Sequence, residues 1–453
     1  MYYTLALSFY FLIAAICAYV YTGEESLFEN IFKIITSPSR LVTDYFALGG
    51  LAATFFNVAL CGFLSVGILA LAKNNIGTSS VAGYMLVVAH GFYGLNFVNM
   101  WPPLIGVLIY SLITKTPLGK CVHTALFSTA LAPFVSELVF RYTQGGEVLS
   151  APRVTFSGIL LALFFGIVSG FLAPALIFGT AEMHRGYNMY KAGLALGLFG
   201  IFIYNFLYTS FGISLGAPLE IDNPEYYALP YSYLAFINVF FISLFALHII
   251  SGVLIKKGQL SDYKKLFLST GYGIDYLDKY GMGISLINVG LLGFCAISYL
   301  NIVFVLPEIF PALPLGVGFT GATVGVVFAA LTFAMDGQQP RTVYPIVIGY
   351  TVLFLLVVLV SRILGNDIPW TLSSQSYING LAFSTGLCPF SGKYGRRTGV
   401  VAGFLAAIIC TTTAEMHGGL VLYNGGFTAG LTALVLLPIL DFYKLKPKHD
   451  DDK

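Results

Sequence analysis

Residues 181–197 read Ala-Glu-Met-His-Arg-Gly-Tyr-Asn-Met-Tyr-Lys-Ala-Gly-Leu-Ala-Leu-Gly, and residues 414–430 read Ala-Glu-Met-His-Gly-Gly-Leu-Val-Leu-Tyr-Asn-Gly-Gly-Phe-Thr-Ala-Gly. The copies share Ala181/Ala414, Glu182/Glu415, Met183/Met416, His184/His417, Gly186/Gly419, Tyr190/Tyr423, Gly193/Gly426 and Gly197/Gly430 without a gap, each between long apolar runs. A carboxyl and an imidazole in such surroundings cost free energy and call for a reason.

The surroundings are those of a membrane protein. The chain is 57% hydrophobic and 10% charged, with mean hydropathy +0.83, whereas soluble domains carry roughly 25% charge. Apolar runs of about 20 residues recur along it, each long enough to cross a hydrocarbon core of roughly 30 Å as a helix. The net charge of +2 gives no footprint for nucleic acid. The six cysteines (Cys17, Cys61, Cys121, Cys295, Cys388, Cys410) lack Cys-x-x-Cys spacing and read as small core residues. The first run, Tyr2 to Tyr21, has no basic flank or small-x-small cleavage site and reads as a retained helix.

Working outward from the duplicated motif, the second half repeats the first. Phe56-Asn57-Val58-Ala59-Leu60-Cys61-Gly62-Phe63 matches Ile287-Asn288-Val289-Gly290-Leu291-Leu292-Gly293-Phe294, and Asp44-Tyr45 matches Asp275-Tyr276 in the same register. Trp101-Pro102 with Gly106 matches Tyr344-Pro345 with Gly349. Phe127-Ser128-Thr129-Ala130-Leu131-Ala132-Pro133-Phe134 matches Phe383-Ser384-Thr385-Gly386-Leu387-Cys388-Pro389-Phe390. The expected fold is an all-α membrane protein with about fourteen transmembrane segments, arranged as two inverted seven-span repeats with broken or re-entrant helices. Residues 1–231 form the first repeat, 232–443 the second and 444–453 a charged cytoplasmic tail; 77–95 and 370–390 are the segments expected to re-enter. Residues 24–40 and 256–277 read as amphipathic helices on the membrane surface.

An odd number of spans per repeat turns the second copy upside down, and the basic residues agree. Lys256, Lys257, Lys264, Lys265, Lys393, Arg396, Arg397, Lys444, Lys446 and Lys448 mark a cytoplasmic face, to which Lys73, Lys115, Lys120, Arg185 and Lys191 count back. The outer face receives Glu24, Glu25, Glu29, Glu220, Asp222, Glu225 and Glu308, with Lys33, Arg40, Arg141 and Arg153 as exceptions.

Several groups are candidates for chemistry. Glu182, His184, Glu415 and His417 either handle an ion or pair with each other at a helix end. Nearby glycines make a helix break plausible, exposing backbone groups to a solute. Ser128, Thr129, Ser384 and Thr385 precede a proline that removes a backbone donor, so they either contact a solute or shape a kink. Tyr190, Tyr423 and Asn424 are placed as solute contacts. Asn57 and Asn288 lie mid-span, as helix-to-helix hydrogen bonds or as ligands. Gly193-x-x-x-Gly197 and Gly426-x-x-x-Gly430 read as packing faces. His123 and His248 read as satisfied core residues. No His-Glu-x-x-His, Gly-x-Ser-x-Gly, phosphate-binding loop or Cys/His cluster occurs.

With its paired Ala-Glu-Met-His and Phe-Ser-Thr-x-Leu-x-Pro-Phe motifs, the chain resembles an uncharacterised family of bacterial membrane proteins defined as a domain of unknown function with a repeated region. That resemblance covers nearly the whole chain and implies a bacterial cytoplasmic (inner) membrane and no particular substrate. In architecture the expected arrangement is similar to the seven-plus-seven nucleobase and anion transporter fold, which implies half-helices, here at 79–95 and 316–335, meeting at a central site. Gly186-Tyr187-Asn188 and Tyr423-Asn424-Gly425 are similar to the turns of urea-channel-type proteins.

The function expected is a secondary active transporter of a small polar or anionic solute, proton- or cation-coupled as in symport, with its site between the repeats. The alternative is a passive channel with the Glu/His pairs as scaffolding; a third reading is a membrane-embedded enzyme or metal-site protein. No enzyme activity and no cofactor are expected. The partners implied are membrane lipid and a small-molecule or ion substrate, with homo-oligomerisation left open and nucleic acid excluded.

Overall fold

The computed structural model describes residues 1–24, 26–73, 77–145, 153–216 and 231–448, as backbone alone at 231 and 232. Glu25, Glu220, Asp222, Glu225 and the last five residues of the charged tail lie outside the described residues. The first repeat runs α1 (Tyr2–Thr22), α2 (Leu27–Ile35), α3 (Tyr45–Leu71), α4 (Thr78–His90), α5 (Trp101–Ile113), α6 (Leu118–Ser128), α7 (Ala132–Phe140), α8 (Phe156–Met183) and α9 (Lys191–Tyr204). The second runs α10 (Tyr231–Ile255), α11 (Ser261–Leu268), α12 (Tyr276–Ile309), α13 (Gly321–Ala330), α14 (Pro340–Leu364), α15 (Gln375–Ser384), α16 (Cys388–Tyr394), α17 (Arg396–Ile409), α18 (Thr413–Met416) and α19 (Asn424–Phe442). The element order matches throughout, α17 and α18 together standing for α8. Packing repeats as well: α1 lies on α3 as α10 lies on α12, and α5 lies on α8 as α14 lies on α17. The halves meet where α4 abuts α13 and α9 crosses α19.

Among the described residues, 9 helical stretches are long and apolar enough to cross a membrane. The segments read at 79–95, 101–115, 316–335, 370–390 and 398–414 are built from shorter pieces. The 13 residues of α4 extend only about 20 Å, well short of a full crossing. Segment 370–390 is broken by a tight turn at Thr385–Leu387 ahead of Pro389, where a proline cannot donate. Short helices occupy both regions read as amphipathic. On α2, Ile31 and Ile34 are buried while Phe28 and Lys33 point outward. In the first turn of α11, Asp262 is paired with Lys256 at 3.0 Å and Lys265 at 3.1 Å, and the two ammonium groups hold its carboxyl below its ordinary range. Cys61, Cys121, Cys388 and Cys410 are buried, whereas Cys17 and Cys295 face outward from α1 and α12.

The starts of α3 and α12 show how the repeats interlock. Asp44 caps α3, its Oδ1 accepting from Phe46 N, and Asp275 caps α12, accepting from Asp278 N. Each then reaches the opposite repeat. Asp44 Oδ1 also accepts from Gly321 N at 2.8 Å, the first residue of α13, and Asp275 Oδ2 accepts from the Thr78 hydroxyl at 2.6 Å, the first residue of α4. Each helix bends one turn later at a matched glycine in the left-handed region, Gly50 (φ 76) and Gly281 (φ 79), a conformation costly for other residues. Asp44→Ala removes a cap from two helices at once, and we expect it to lower stability by about 1–2 kcal/mol, with Asp44→Asn losing less because its carbonyl still accepts. Thermal unfolding in detergent checks this.

Candidate functional site

The duplicated motif ends a helix and begins a loop that inserts into the opposite repeat. Met189 N donates to Gly386 O at 3.0 Å, and Leu422 N donates to Ala130 O at 2.9 Å. The acceptors belong to two tight turns, Thr129–Leu131 and Thr385–Leu387, that interrupt α6–α7 and α15–α16. These turns are what the Phe-Ser-Thr-x-Leu-x-Pro-Phe motif builds. Thr129 and Thr385 hydroxyls donate to Leu126 O and Ala382 O, each at 2.7 Å, and Ser128 donates to Ala125 O, a back-bonding that loosens helices. The Ala130 and Gly386 carbonyls in these turns thus receive backbone N–H groups from the other repeat. Ser384 shares a hydrogen bond with Tyr350 at 2.8 Å, and Thr385 accepts from Gln338 Nε2 at 2.8 Å.

Beyond the loops, α9 and α19 cross at glycines. A Cβ on Gly193 would lie 2.4 Å from Gly426 C, and one on Gly430 would lie 2.7 Å from Leu194 Cβ. Asn188 pins the crossing, its Nδ2 donating to Gly426 O at 3.2 Å while Oδ1 accepts from Tyr190 N. The Gly-x-x-x-Gly stretches are packing faces.

The four ionisable groups of the motif separate by depth. Glu182 and Glu415 are exposed near the ends of α8 and α18, while His184 and His417 are 0% exposed. His417 Nε2 meets Asn424 Oδ1 at 3.1 Å; neither ring nitrogen of His184 has a hydrogen-bond partner among the described residues. No hydrogen bond or ion pair among the described residues joins Glu to His within a motif or links one motif's pair to the other's. No cluster of three or more His, Cys, Asp or Glu there is arranged to hold a metal. Asn57 and Asn288 act on the backbone. Asn57 Nδ2 donates to Gly91 O at 2.8 Å and Leu95 O at 3.0 Å; Asn288 Nδ2 donates to Ala334 O and Gln338 O, both at 2.7 Å. Each amide clamps the turn after a half-length helix, α4 or α13. His248 is a satisfied core residue, bonded to Leu244 O and to Tyr3.

Two cavities flank this centre. One, of about 480 Å³, is lined by Asp44, Tyr93, Thr320, Gln375, Asn379 and Asn424 among others. The second, of about 350 Å³, is lined by Ser79, His123, Lys191, Tyr272 and Asp336. Their walls correspond: Tyr272 stands where the first cavity has Leu41, Met189 where it has Leu422, and Phe127 where it has Phe383. A partition of rings lies between them. Phe383 faces the larger cavity; Tyr190, Tyr423 and Phe333 face the smaller. Ring centroids are 5.0 Å apart for Tyr190 and Phe383, 4.8 Å for Tyr190 and Phe333, and 5.0 Å for His90 and Tyr423. Tyr190 donates to Ala329 O at 2.5 Å. The Tyr423 hydroxyl and His90 Nε2 are buried with no hydrogen-bond partner among the described residues.

Tyr190, Tyr423 and Asn424 are therefore the expected contacts that the fold brings to the centre. Phe383, His90, His123, Lys191, Asp336, Gln375 and Asn379 join them without having been singled out as site residues. Comparing the repeats position by position would have marked Lys191 and Asp336, since Asn424 and Tyr93 are their neutral counterparts.

These features define an all-helical, multi-pass membrane protein built as a two-part repeat around a partitioned pair of cavities. The chain belongs to the family described as a protein of unknown function (DUF1576), which matches residues 23–209 and 255–442. No curated protein and no solved structure matches the chain.

Proposed function

We propose that this protein is a secondary transporter of a small polar solute in a bacterial cytoplasmic membrane, with inverted repeats and the aromatic partition as its gate. The observation that carries this reading is the pair of corresponding cavities separated by Tyr190, Tyr423, Phe333, Phe383 and His90. Two cavities held apart by a closed middle are compatible with a site exposed to one side at a time, as alternating access requires.

The ends of the molecule support the inversion. Leu41 N donates to Gly419 O and Val317 N to Ser373 O at the mouth of the larger cavity. The residue matching Leu41 is Tyr272, whose hydroxyl donates to Arg185 O at the mouth of the smaller one. Repeats set the same way up would bring Leu41 and Tyr272 to one end. In the first repeat the half-length helix then dips in and returns: α4 leads through its buried turn to α5, whose Gly106 rests on Ile167 and Gly170 in the middle of α8. That leaves α1, α3, α6–α7, α8 and α9 as crossings, an odd number. Arg185, Lys191 and Lys393 gather on the smaller cavity's side, which the charge rule makes cytoplasmic.

Coupling to a proton or cation falls to the exposed Glu182 and Glu415 with the buried imidazoles beneath them. Purified protein in liposomes, challenged with a pH gradient, tests this. Accumulation against the solute gradient is expected, with Glu415→Gln retaining downhill flux and losing accumulation; full accumulation in that variant rejects the assignment. The separation of Glu182 and Glu415 favours a passive channel as the second reading, and flux indifferent to every ion gradient would establish it. Under either reading Phe383→Ala opens the partition, and we expect a leak of small solutes at least several-fold above wild type in the same liposomes.

A further inference from the structure

The two cavities are lined from corresponding positions of the two repeats and differ in charge. Lys191, the first residue of α9, is exposed in the smaller cavity, and Asp336 stands half-buried in it on the turn after α13. At the matching places the larger cavity carries Asn424 and Tyr93, and where the smaller has His123 the larger has Asn379. Lys191 and Asp336 line the same cavity yet form no ion pair, and neither side chain has a hydrogen-bond partner among the described residues. The other charges near them are committed or outside. Arg185 pairs with Asp441 at 2.9 Å, Asp275 caps α12 and accepts from Thr78, and Asp278 is exposed.

The half-buried Asp336 carboxylate is costly to keep without a partner, while the exposed Lys191 ammonium lines the same cavity uncommitted to any other group, and a bound solute uses the whole cavity only by matching both. A solute of one sign would satisfy one group and leave the other unmatched. A zwitterion satisfies both. The volume, near the small end of ligand pockets at roughly 300–1,000 Å³, suits a molecule the size of an amino acid.

We propose that the cavity between Lys191 and Asp336 is a recognition site for a zwitterionic solute of amino-acid size, its acid group at the Lys191 ammonium and its amine at the Asp336 carboxylate. This names the substrate class of the transporter and rests on that reading, though binding itself is measurable without transport. The test uses the full chain purified in detergent, with the twenty protein amino acids, β-alanine, betaine and taurine as probes and calorimetry as readout. At least one zwitterion should bind saturably. Its analogues lacking the amine or lacking the acid should each bind at least about tenfold more weakly, a loss of about 1.4 kcal/mol.

Lys191→Gln should weaken the zwitterion by about tenfold or more while sparing the amine analogue, and Asp336→Asn should spare the acid analogue instead. Lys191 is exposed, so its substitution leaves the fold in place and decides the matter even where the Asp336 variant folds poorly. No saturable binding by any probe overturns the proposal, as does wild-type affinity in Lys191→Gln or equal loss of both analogues in it. Binding with the expected charge preference but no flux in liposomes would keep the zwitterion site and remove the transporter.

Discussion

Asn57→Asp is expected to lower stability by about 3–5 kcal/mol, from two buried backbone groups left unpaired at about 1–3 kcal/mol each and the cost of a carboxylate set against them. The Asn57 amide donates to Gly91 O and Leu95 O and its oxygen accepts from Phe97 N at 3.2 Å, so one side chain holds the whole turn after α4. An aspartate has the same shape and no donor. Its oxygens would face two carbonyls that have lost their hydrogen, in a site 0% exposed. Asn288→Asp should behave alike, because Ala334 O and Gln338 O depend on it in the same manner. The internal control is Asn301, whose Nδ2 bonds Asn238 Oδ1 at 2.8 Å between half-buried helix faces. Interhelical bonds of that kind average about 0.6 kcal/mol, so Asn301→Ala should be mild. Thermal unfolding in detergent reads all three, and an Asn57→Asp variant within about 1 kcal/mol of wild type would refute the clamp.

The second large effect concerns the crossing of α9 and α19. Gly193→Ala puts a methyl group 2.4 Å from Gly426 C and 2.5 Å from its Cα. Both are backbone atoms with no rotamer to retreat into, so the helices must part. Overpacking of this kind costs about 1–3 kcal/mol. Gly426→Ala meets Gly193 Cα and Tyr190 Cβ, each at 3.1 Å, and Gly193 N at 3.8 Å, and should cost clearly less. A Cβ on Gly67 meets nothing within 4 Å, so Gly67→Ala should match or slightly exceed wild-type stability. Because Tyr190 and Tyr423 stand immediately before the crossing, parting the helices also pulls on the partition, and Gly193→Ala should leak in liposomes. Equal losses for the two glycines would show that the crossing is looser than its backbone contact implies.

Much of this was legible from residues. Asp44/Asp275 and Asn57/Asn288 recur in one register, and within each pair both members do the same thing, the aspartates capping one helix and reaching a second, the asparagines clamping a turn. Such roles survive duplication because a cap or a clamp depends on local backbone, which the repeated residues carry with them. The Glu-x-His motif was read differently from its placement because a helix end close to the surface splits adjacent positions between solvent and interior. Glu182 and Glu415 then keep their hydration, and His184 and His417 turn inward. His90 carried no chemical pattern and Phe383 only opened its duplicated motif as an apolar residue; both matter because α4 and α15 bring them against Tyr423 and Tyr190.

The linear chain by itself determined that this is a helical membrane protein of two repeats, since hydrocarbon admits only helices or closed barrels, the apolar runs have the length of helices, and a duplicated pattern folds into duplicated elements. It also marked the breaks ahead of Pro133 and Pro389, where a proline removes a backbone donor, although helices run on through Pro174 and Pro438. Only the tertiary structure decided which groups face a solute. Asp336 and Lys191 are far apart in sequence, and they share a cavity because α9 crosses α19 while the turn after α13 lies beneath the inserted loop of the other repeat. No local rule records a contact made by two halves closing on each other, and there the position of each charge became a matter of packing.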